Sequence, residues 1–293
     1  MTESTTSIMP DASLSVRRRV TWRVIVVSNF LLVFGFEVWR AMFNNFSVDE
    51  LGFGATQVGL IQSVREIPGL LGMGVGFLAL LMLEMRIAAL SLVLMGLGIG
   101  LTGMVSGMPS MVASTLVMSF GFHYFYSSNS ASVLMLGGEE DCPDLLARLR
   151  SLSALFALAA AGFVFIFFNG LGFRTSYYLV GGLLVVGGLA LQPWVRKTGT
   201  RSPRIGRRLP IRREYWMYYV LEFLMGSRRH IFSTFAIFLL VKDHQVATQT
   251  VTTLFLVNNF AGTFVYRQFG KIINRFGERR VLLFNFVVLI GVF

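Results

Sequence analysis

The chain has 293 residues, few of them charged, and it contains one cysteine and three histidines. Charged side chains make up 14% of the sequence, against about 25% in ordinary soluble domains. This scarcity excludes a soluble enzyme and a disordered chain. The single cysteine, Cys142, excludes an internal disulfide and therefore a disulfide-rich secreted scaffold. No companion ligands surround Cys142 in the sequence, so we expect no metal site there.

Apolar residues dominate what is present. They make up 54% of the chain, which includes 28 Phe and 30 Gly, and the mean hydropathy is +0.66. They occur in runs of about 20 residues, the length that crosses about 30 Å of hydrocarbon as a helix. Glycine is also commoner in membrane helices than in soluble ones. The composition therefore predicts an all-α, polytopic membrane protein.

Eight runs are long enough to be membrane spans. We place spans one to eight at 22–43, 57–83, 87–106, 110–136, 152–173, 177–195, 215–241 and 248–269. Residues 1–16 are polar and are predicted to be a disordered cytoplasmic tail. The last run, 281–293, has 13 residues and would rise about 20 Å, less than the hydrocarbon thickness. We expect the chain to stop inside a ninth span; the alternative is a re-entrant or interfacial segment.

The positive charge lies mostly between the apolar runs. The net charge is +11, and 23 of the 26 basic residues are Arg. Basic loops face the cytoplasm, so we predict a multi-pass protein of the bacterial inner membrane with a cytoplasmic N-terminus. The partners expected from this pattern are the lipid bilayer and its anionic headgroups, and not a nucleic acid. Residues 196–214 are then predicted to be a basic cytoplasmic linker. It would join a six-span bundle, 17–195, to a second bundle that begins at 215.

A sparse internal repeat supports this division. Sliding the sequence by 194 positions aligns several identical residues, and the last three pairs fall in equivalent turns, after spans two and eight. The pairs are Trp22/Trp216, Asp49/Asp243, Thr56/Thr250, Gly76/Gly270, Glu84/Glu278 and Arg86/Arg280. The repeat predicts a duplicated bundle.

The second of these turns, residues 270–280, reads Gly-Lys-Ile-Ile-Asn-Arg-Phe-Gly-Glu-Arg-Arg. It resembles the G-x-x-x-D-R-x-G-R-R loop signature of the major facilitator superfamily of secondary transporters, with Asn274 in place of the acid. The resemblance implies twelve spans in two six-helix bundles that rock about a central site. It also implies a conformational role for the matching residues. These are Gly270, Arg275, Gly277, Arg279 and Arg280.

Ionisable residues inside the predicted spans are candidates for function, because burying them in hydrocarbon is costly. Spans one, two, four and seven contain them, whereas the interiors of spans three, five and six do not. They are Glu37, Arg40, Arg65, Glu66, His123, Glu222, Arg228, Arg229 and His230. In the superfamily, spans one, four and seven line the central cavity, and the resemblance therefore places several of these residues there.

We predict that Arg229, or Arg228, acts with His123 to hold an anionic group of the substrate, because guanidinium binds carboxylate or phosphate through two parallel hydrogen bonds. Tyr126 and Asn259 are predicted to add polar contacts to this site.

A coupling proton is assigned to one of three carboxylates, Glu37, Glu66 or Glu222, since partial desolvation raises a carboxylate pKa. Arg40 and Arg65 are predicted to act with them in a gate. The alternative is structural. Glu37 and Arg40 neutralise each other at i, i+3, while Arg65 and Glu66 point about 100° apart and pair across helices with span one.

The sequence lacks a nucleotide-binding motif, so a solute or proton gradient is the expected energy source. The predicted function is secondary active transport, in symport, of a small polar and anionic solute by a monomer without cofactor or metal. Span five lacks the Gly-Pro motif associated with proton antiporters of the superfamily, which favours uptake over drug or metabolite efflux. A non-transporting sensor or lipid-binding scaffold would also fit the span pattern, as would an intramembrane enzyme that uses His123 and a glutamate as acid and base.

Overall fold

A computed structural model describes residues 12–198, 213–217, 219–221, 224 and 237–292. Every regular element in these ranges is helical, which confirms the all-α class. The first helix, α1, runs Ala12–Asn45 and continues into a π-helical turn, Phe46–Glu50. Residues 12–16, predicted as part of the tail, therefore belong to a helix.

The segment predicted as the single span two is broken. Pro68 has no N–H for a helical hydrogen bond, and the glycines that follow it disfavour helix. The two parts, Ala55–Leu70 and Gly74–Leu81, meet at 45°. The elements are α2 (Ala55–Arg65), α3 (Ile67–Leu70), a 3₁₀ turn (Leu71–Met73) and α4 (Gly74–Leu81). The span predicted over 57–83 is thus bent in its middle and is not one continuous helix.

Two long elements follow. Helix α5 runs Glu84–Thr102, and one hydrogen-bonded run of 88 residues, α6, covers Met108–Val195. A straight helix of that length would extend about 130 Å. Yet a Cβ on Gly98 of α5 would overlap the backbone nitrogen of Met118, and one on Gly181 would lie 2.5 Å from the nitrogen of Gly100. Both ends of α6 therefore contact α5, so α6 folds back on itself.

Two reversals divide α6 into stretches α6a (108–136), α6b (143–171) and α6c (173–195), which correspond to predicted spans four, five and six. Near the first reversal, a Cβ on Gly137 would lie 3.1 Å from the backbone nitrogen of Cys142. The second lies at Gly172, whose φ of +67° is the left-handed conformation that favours glycine.

The order of contacts along each helix gives its direction. From the contact Asn29–Ser153 to the contact Phe34–Phe163 the residue numbers rise on both helices, so α6b runs parallel to α1. Pairs Leu31–Gly187 and Phe46–Tyr177 run in opposite senses, so α6c is antiparallel to α1. The stretches α6b and α6c therefore run in opposite directions.

Small residues allow the central helix α5 to approach its neighbours closely. The Gly96 and Gly181 backbones meet where α5 crosses α6c, and Gly121 of α6a packs against Met95. Such contacts between small residues are typical of helices that associate in a membrane. Around them lies an apolar core that includes the buried side chains of Trp39 and Leu92.

Three described helices are long and apolar enough to cross a membrane: Val16–Glu50, Glu84–Thr102 and Asp141–Val195. The bent pair of α2–α3 and α4 makes a fourth if it is taken as one span. The eight predicted spans are therefore not all met among the described residues. Spans five and six fall within one hydrogen-bonded run that reverses at Gly172, and span four is rich in Ser. Much of span seven lies outside the described ranges.

The remaining elements with described bounds are a 3₁₀ turn (Arg213–Tyr215), α7 (Ile237–Lys242), α8 (Thr248–Phe276) and α9 (Glu278–Val292). Helix α8 packs antiparallel to α6b. Gln249 Nε2 donates to Asn169 Oδ1 at 2.6 Å, and Ser151 Oγ donates to the Thr263 carbonyl oxygen at 2.8 Å. The second part of the chain thus lies against the first along most of α6b.

The loops gather at two opposite ends. At one, Arg18 forms an ion pair with Asp141, and Thr21 Oγ1 donates to the Thr198 carbonyl oxygen at 3.2 Å. We call this the basic end, comprising 17–21, 84–86, 141–150, 196–198 and 270–280. At the far end, comprising 46–54, 103–107, 172–176 and 242–247, Arg174 donates to two carbonyl oxygens of the α5 terminus.

Candidate functional site

The break between α2 and α3 holds a charged pair. Arg65 is the last residue of α2, and its Nη2 and Nε lie 3.0 and 3.2 Å from Oε1 of Glu66 in the following turn. The sequence predicted that these neighbours diverge and pair with span one. That prediction did not foresee their contact with each other, which becomes available because the regular helix ends between them.

His123 of α6a extends this pair. Its Nε2 lies 3.7 Å from Glu66 Oε2, which is an ion pair when the imidazole is protonated. The close approach depends on Gly69, since a Cβ there would lie 2.9 Å from His123 Cε1. The side chains of Arg65 and His123 are 12% and 20% exposed. We call Arg65, Glu66 and His123 the bend cluster.

The same face of α6a also covers backbone groups that the bend releases. Ser119 Oγ donates to the Arg65 carbonyl oxygen, and the Tyr124 hydroxyl donates to the Leu71 carbonyl oxygen at 3.3 Å. In hydrocarbon, irregular backbone is tolerated only where protein or water satisfies it. Helix α6a therefore stabilises the bend and supplies one member of its charged cluster.

A second charged pair lies on α1. Arg40 Nε donates to Glu37 Oε2 at 3.1 Å, and Arg40 Nη2 contacts the same oxygen. This is the i, i+3 pair that the spacing predicts as the structural alternative. The Arg40 guanidinium also lies 4.1 Å from the ring centroid of Phe255 on α8. The pair thus contacts the second part of the chain through a cation–π interaction.

An aromatic stack lies next to both charged groups. The rings of Phe36 and Phe122 are 4.4 Å apart and nearly parallel. Glu37 follows Phe36 in the chain and His123 follows Phe122, so this stack joins α1 and α6a beside both. The charges of Glu37 and Glu66 balance those of Arg40 and Arg65. The net charge of these four residues and His123 is therefore zero when His123 is neutral and +1 when it is protonated.

Two further predicted substrate residues are Tyr126 and Asn259, and the ring of Tyr126 lies 5.8 Å from that of Phe122, at the edge of the aromatic stack. Tyr126 is 38% exposed, and the Arg150 guanidinium lies 5.3 Å from the centroid of its ring. The side-chain nitrogen of Asn259 is buried, and among the described residues nothing accepts a hydrogen bond from it. Within those residues, no hydrogen bond or ion pair joins either side chain to His123.

The other predicted members of the site, Arg228, Arg229 and Glu222, lie outside the described residues, as does His230. The anion site formed by Arg229 with His123 therefore stays a prediction, as does a coupling role for Glu222.

The loop that resembles the transporter signature lies at the basic end. Gly277 adopts φ +80° between α8 and α9, a conformation that favours glycine. Gly270 is buried, and a Cβ there would lie 2.8 Å from the Cβ of Ala147. Asn274 Nδ2 lies 3.4 Å from Asp144 Oδ1 in the first turn of α6b. The three signature arginines, Arg275, Arg279 and Arg280, are exposed.

The sequence analysis did not predict the contact between Asn274 and Asp144. The signal for it was the missing acid of the signature: Asn274 replaces that acid, and Asp144 supplies a carboxylate from the first part of the chain. Ser119 and Phe255 were also missed, because nothing in their local sequence indicates which helix they face.

Cys142 also lies at the basic end, between predicted spans four and five. Burial raises the pKa of its thiol from the ordinary 9.0, and the Glu278 carboxylate raises it further. Both causes disfavour the thiolate, which is the form that binds metals. Among the described residues, no group of three His, Cys, Asp or Glu side chains is placed to hold a metal ion.

Comparison with known proteins adds no relative. No family model matches the sequence, and no curated protein matches it. The assignment of a function therefore rests on the residues and geometry described above.

Proposed function

We propose that the chain is a secondary transporter of the major facilitator type, a monomer that moves a small anionic solute across a bacterial inner membrane together with a proton. The N-terminus and the basic end face the cytoplasm in this proposal, and the complete protein has two six-helix bundles. No cofactor or resident metal takes part.

The observation that supports it most directly is the bend cluster. Three ionisable side chains lie at a break in an otherwise apolar helical segment, and two of them have little exposure. Structural proteins avoid such an arrangement in hydrocarbon, whereas transporters use interrupted helices and charged residues to bind solutes and ions.

The charge balance of the site suggests how proton and solute are coupled. Glu37 with Arg40, and Arg65 with Glu66, are neutral pairs, so a proton on His123 gives these five residues a net charge of +1. An anionic solute then finds a complementary charge, and its departure favours release of the proton. The predicted arginines of span seven, Arg228 and Arg229, would add to the same attraction.

The contacts between the two parts of the chain support alternating access. They occur at the basic end between Asn274 and Asp144, and at the far end where Asn45 Nδ2 lies 3.4 Å from the Val246 carbonyl oxygen. Each is a hydrogen bond that involves exposed or half-buried polar groups, which rocking of one bundle against the other can break and remake.

The first test is a stabilisation screen of the full-length protein in detergent. Carboxylates, phosphates, neutral sugars and cationic drugs are compared for the rise they produce in Tm, because a ligand that binds only the folded state stabilises it. We expect anions to stabilise the wild type and to lose this effect in Arg229→Ala. Equal stabilisation of both proteins by cations or apolar drugs would contradict the anion site and favour efflux.

The second test addresses the proton. In proteoliposomes with an imposed pH gradient, His123→Asn should abolish accumulation of the stabilising anion while exchange across the membrane continues. The matched control is Ser127→Ala on the same helix, whose hydroxyl bonds only to the His123 carbonyl oxygen among the described groups. Concentrative uptake that is unchanged in His123→Asn would exclude a coupling role for the bend cluster.

A further inference from the structure

A cavity of about 320 Å³ opens at the basic end, away from the bend cluster. It lies where α4 ends, α5 begins and α6c ends. Its described lining consists of Leu81, Met82, Leu83, Arg86, Val195 and Arg196. Four apolar side chains and two arginines therefore surround it, and no carboxylate is among them.

Both arginines are exposed, and within the described part of the chain neither makes a hydrogen bond or ion pair. The nearest acid in sequence, Glu84, is 3% exposed and does not line the cavity. Leu83, in the lining, is the residue before the first turn of α5, where the positive end of the helix dipole favours an anion. The charged side chains that line the cavity are thus both positive.

Two exposed apolar stripes begin beside these arginines. One continues from Arg86 along a single face of α5, and the other continues from the turn that holds Arg196 along α6c. The stripes consist of Leu90, Leu94, Leu97 and Leu101, and of Trp194, Ala190, Val186, Leu183 and Leu179. The stripe on α5 extends about 22 Å from Arg86, enough to cover the hydrocarbon depth of one leaflet, about 15 Å.

From this arrangement we infer that the cavity binds the headgroup of an anionic phospholipid, with the phosphate between Arg86 and Arg196 and the acyl chains along the two leucine-rich stripes. The cations match the phosphate, the apolar lining matches the glycerol backbone and the first methylenes, and the stripes match the chains. A free phosphate or soluble organic anion would use the two arginines but not the four apolar side chains that line the cavity.

The inference rests on the proposed function only in placing the chain in a membrane, and it is independent of what the protein transports. The inference predicts that the protein requires an anionic lipid at one place, where α5 and α6c meet. Basic pockets between helices at the cytoplasmic side of a membrane are the sites at which lipid headgroups bind most selectively.

The test measures lipid binding to the delipidated full-length protein by native mass spectrometry. Phosphatidylglycerol and phosphatidylcholine with identical acyl chains are titrated against the wild type, Arg86→Gln/Arg196→Gln and the control Arg148→Gln. Arg148 is exposed at the same end and lies outside the cavity lining. We expect the wild type and the control to prefer the anionic lipid about tenfold, as two arginines near a membrane surface allow. The double variant should bind both lipids equally.

Two results would overturn the inference. One is an unchanged preference in the double variant, or an equal loss in Arg148→Gln, either of which would indicate diffuse attraction by the whole basic end. The other is displacement of the lipid by millimolar glycerol phosphate, which would indicate a site for a soluble anion. The single variants Arg86→Gln and Arg196→Gln, each expected to lose part of the preference, serve if the double variant does not fold. Because the readout is binding, failure here leaves the transport proposal intact.

Discussion

At the scale of single residues, Cys142 offers a direct probe of the basic end. Its side chain is 8% exposed, and its thiol pKa is raised by burial and by Glu278. Only the thiolate reacts with maleimide, so at pH 7 the folded protein should be labelled more than about tenfold more slowly than the denatured chain. Labelling followed by mass spectrometry from pH 7 to 10 should show the rate rising with pH.

The pH dependence has a definite sign. Because the folded pKa is raised, the thiol favours folding below 9.0, its ordinary value, and that contribution is lost as the pH rises through the folded pKa. Removing the smaller cause with Glu278→Gln should speed labelling at pH 8. The control Asp243→Asn alters an exposed acid at the far end and should not. Equal rates in folded and denatured protein would refute the burial of this thiol.

Arg174 joins three segments at the far end. It donates to the carbonyl oxygens of Gly103 and Val105 at 3.0 and 3.1 Å, and its Nε lies 3.3 Å from Glu50 Oε2. The ion pair is too exposed to contribute much, but the two carbonyl oxygens would lose their donor in Arg174→Gln. We expect a loss of about 1 kcal/mol in stability, measured as a lower Tm in detergent.

The comparison for Arg174 is Arg148→Gln, which removes an exposed arginine with no described hydrogen bond. Its Tm should equal that of the wild type. If both variants melt at the same temperature, the bonds of Arg174 to the end of α5 do not contribute to stability.

At the scale of helices, glycine decides how closely α5 approaches α6a. A Cβ at Gly98 would overlap the backbone nitrogen of Met118, whereas one at Gly100 would meet nothing within 4 Å. Gly98→Ala should therefore force the helices apart and cost about 1–3 kcal/mol. Gly100→Ala, two residues further on the same helix, should leave stability unchanged or slightly raised. Thermal unfolding of the two variants in the same detergent makes the comparison.

The positions of most helices follow from hydrophobic runs, because α1, α5 and α8 coincide with predicted spans to within a few residues at most ends. The early start of α1 and the break at Glu66 do not follow as readily. Pro68 and its neighbouring glycines signalled a weakness in span two, but they also occur in helices that remain continuous. Only the contacts with Ser119 and Tyr124 show that the bend is stabilised from another helix.

Pairings between helices were harder to predict than the helices themselves. The Glu37–Arg40 pair is local and follows from i, i+3 spacing. The approach of His123 to Glu66, and of Asn274 to Asp144, joins residues 57 and 130 positions apart. Such contacts depend on how helices cross, which hydropathy does not encode, so these residues could be nominated for a site without being assigned partners.

At the scale of the whole molecule, the contact between Asn274 and Asp144 predicts that a covalent link between these two positions would hold the two parts of the chain together at the basic end. With Cys142→Ser as background, Asp144→Cys/Asn274→Cys should react with a short bifunctional thiol reagent, because the two side chains are adjacent. If the bundles rock, this link should stop uptake of the anion selected by the stabilisation screen. Uptake into proteoliposomes before and after cross-linking is the measurement.

The control link is Arg18→Cys/Asp141→Cys, which also lies at the basic end but joins two segments of the first part of the chain. It should form equally well and leave uptake unaffected. Uptake that persists after cross-linking of Asp144→Cys/Asn274→Cys, as it does for the control link, would mean that the contact between positions 144 and 274 does not open during transport.

The packing of α1 against α6c has a consequence for the synthesis of the protein. Thr21 bonds to Thr198, 177 residues later in the chain, and Gly35 packs against Leu184. At a synthesis rate of about 5–20 residues per second, roughly 10–35 seconds separate the appearance of the two partners. Other partners of α1 are also late: Ser153 follows its partner Asn29 by 124 residues, and Phe255 follows Arg40 by 215 residues. We therefore expect the polar side chains of α1 to stay without these partners while most of the first part of the chain is being made.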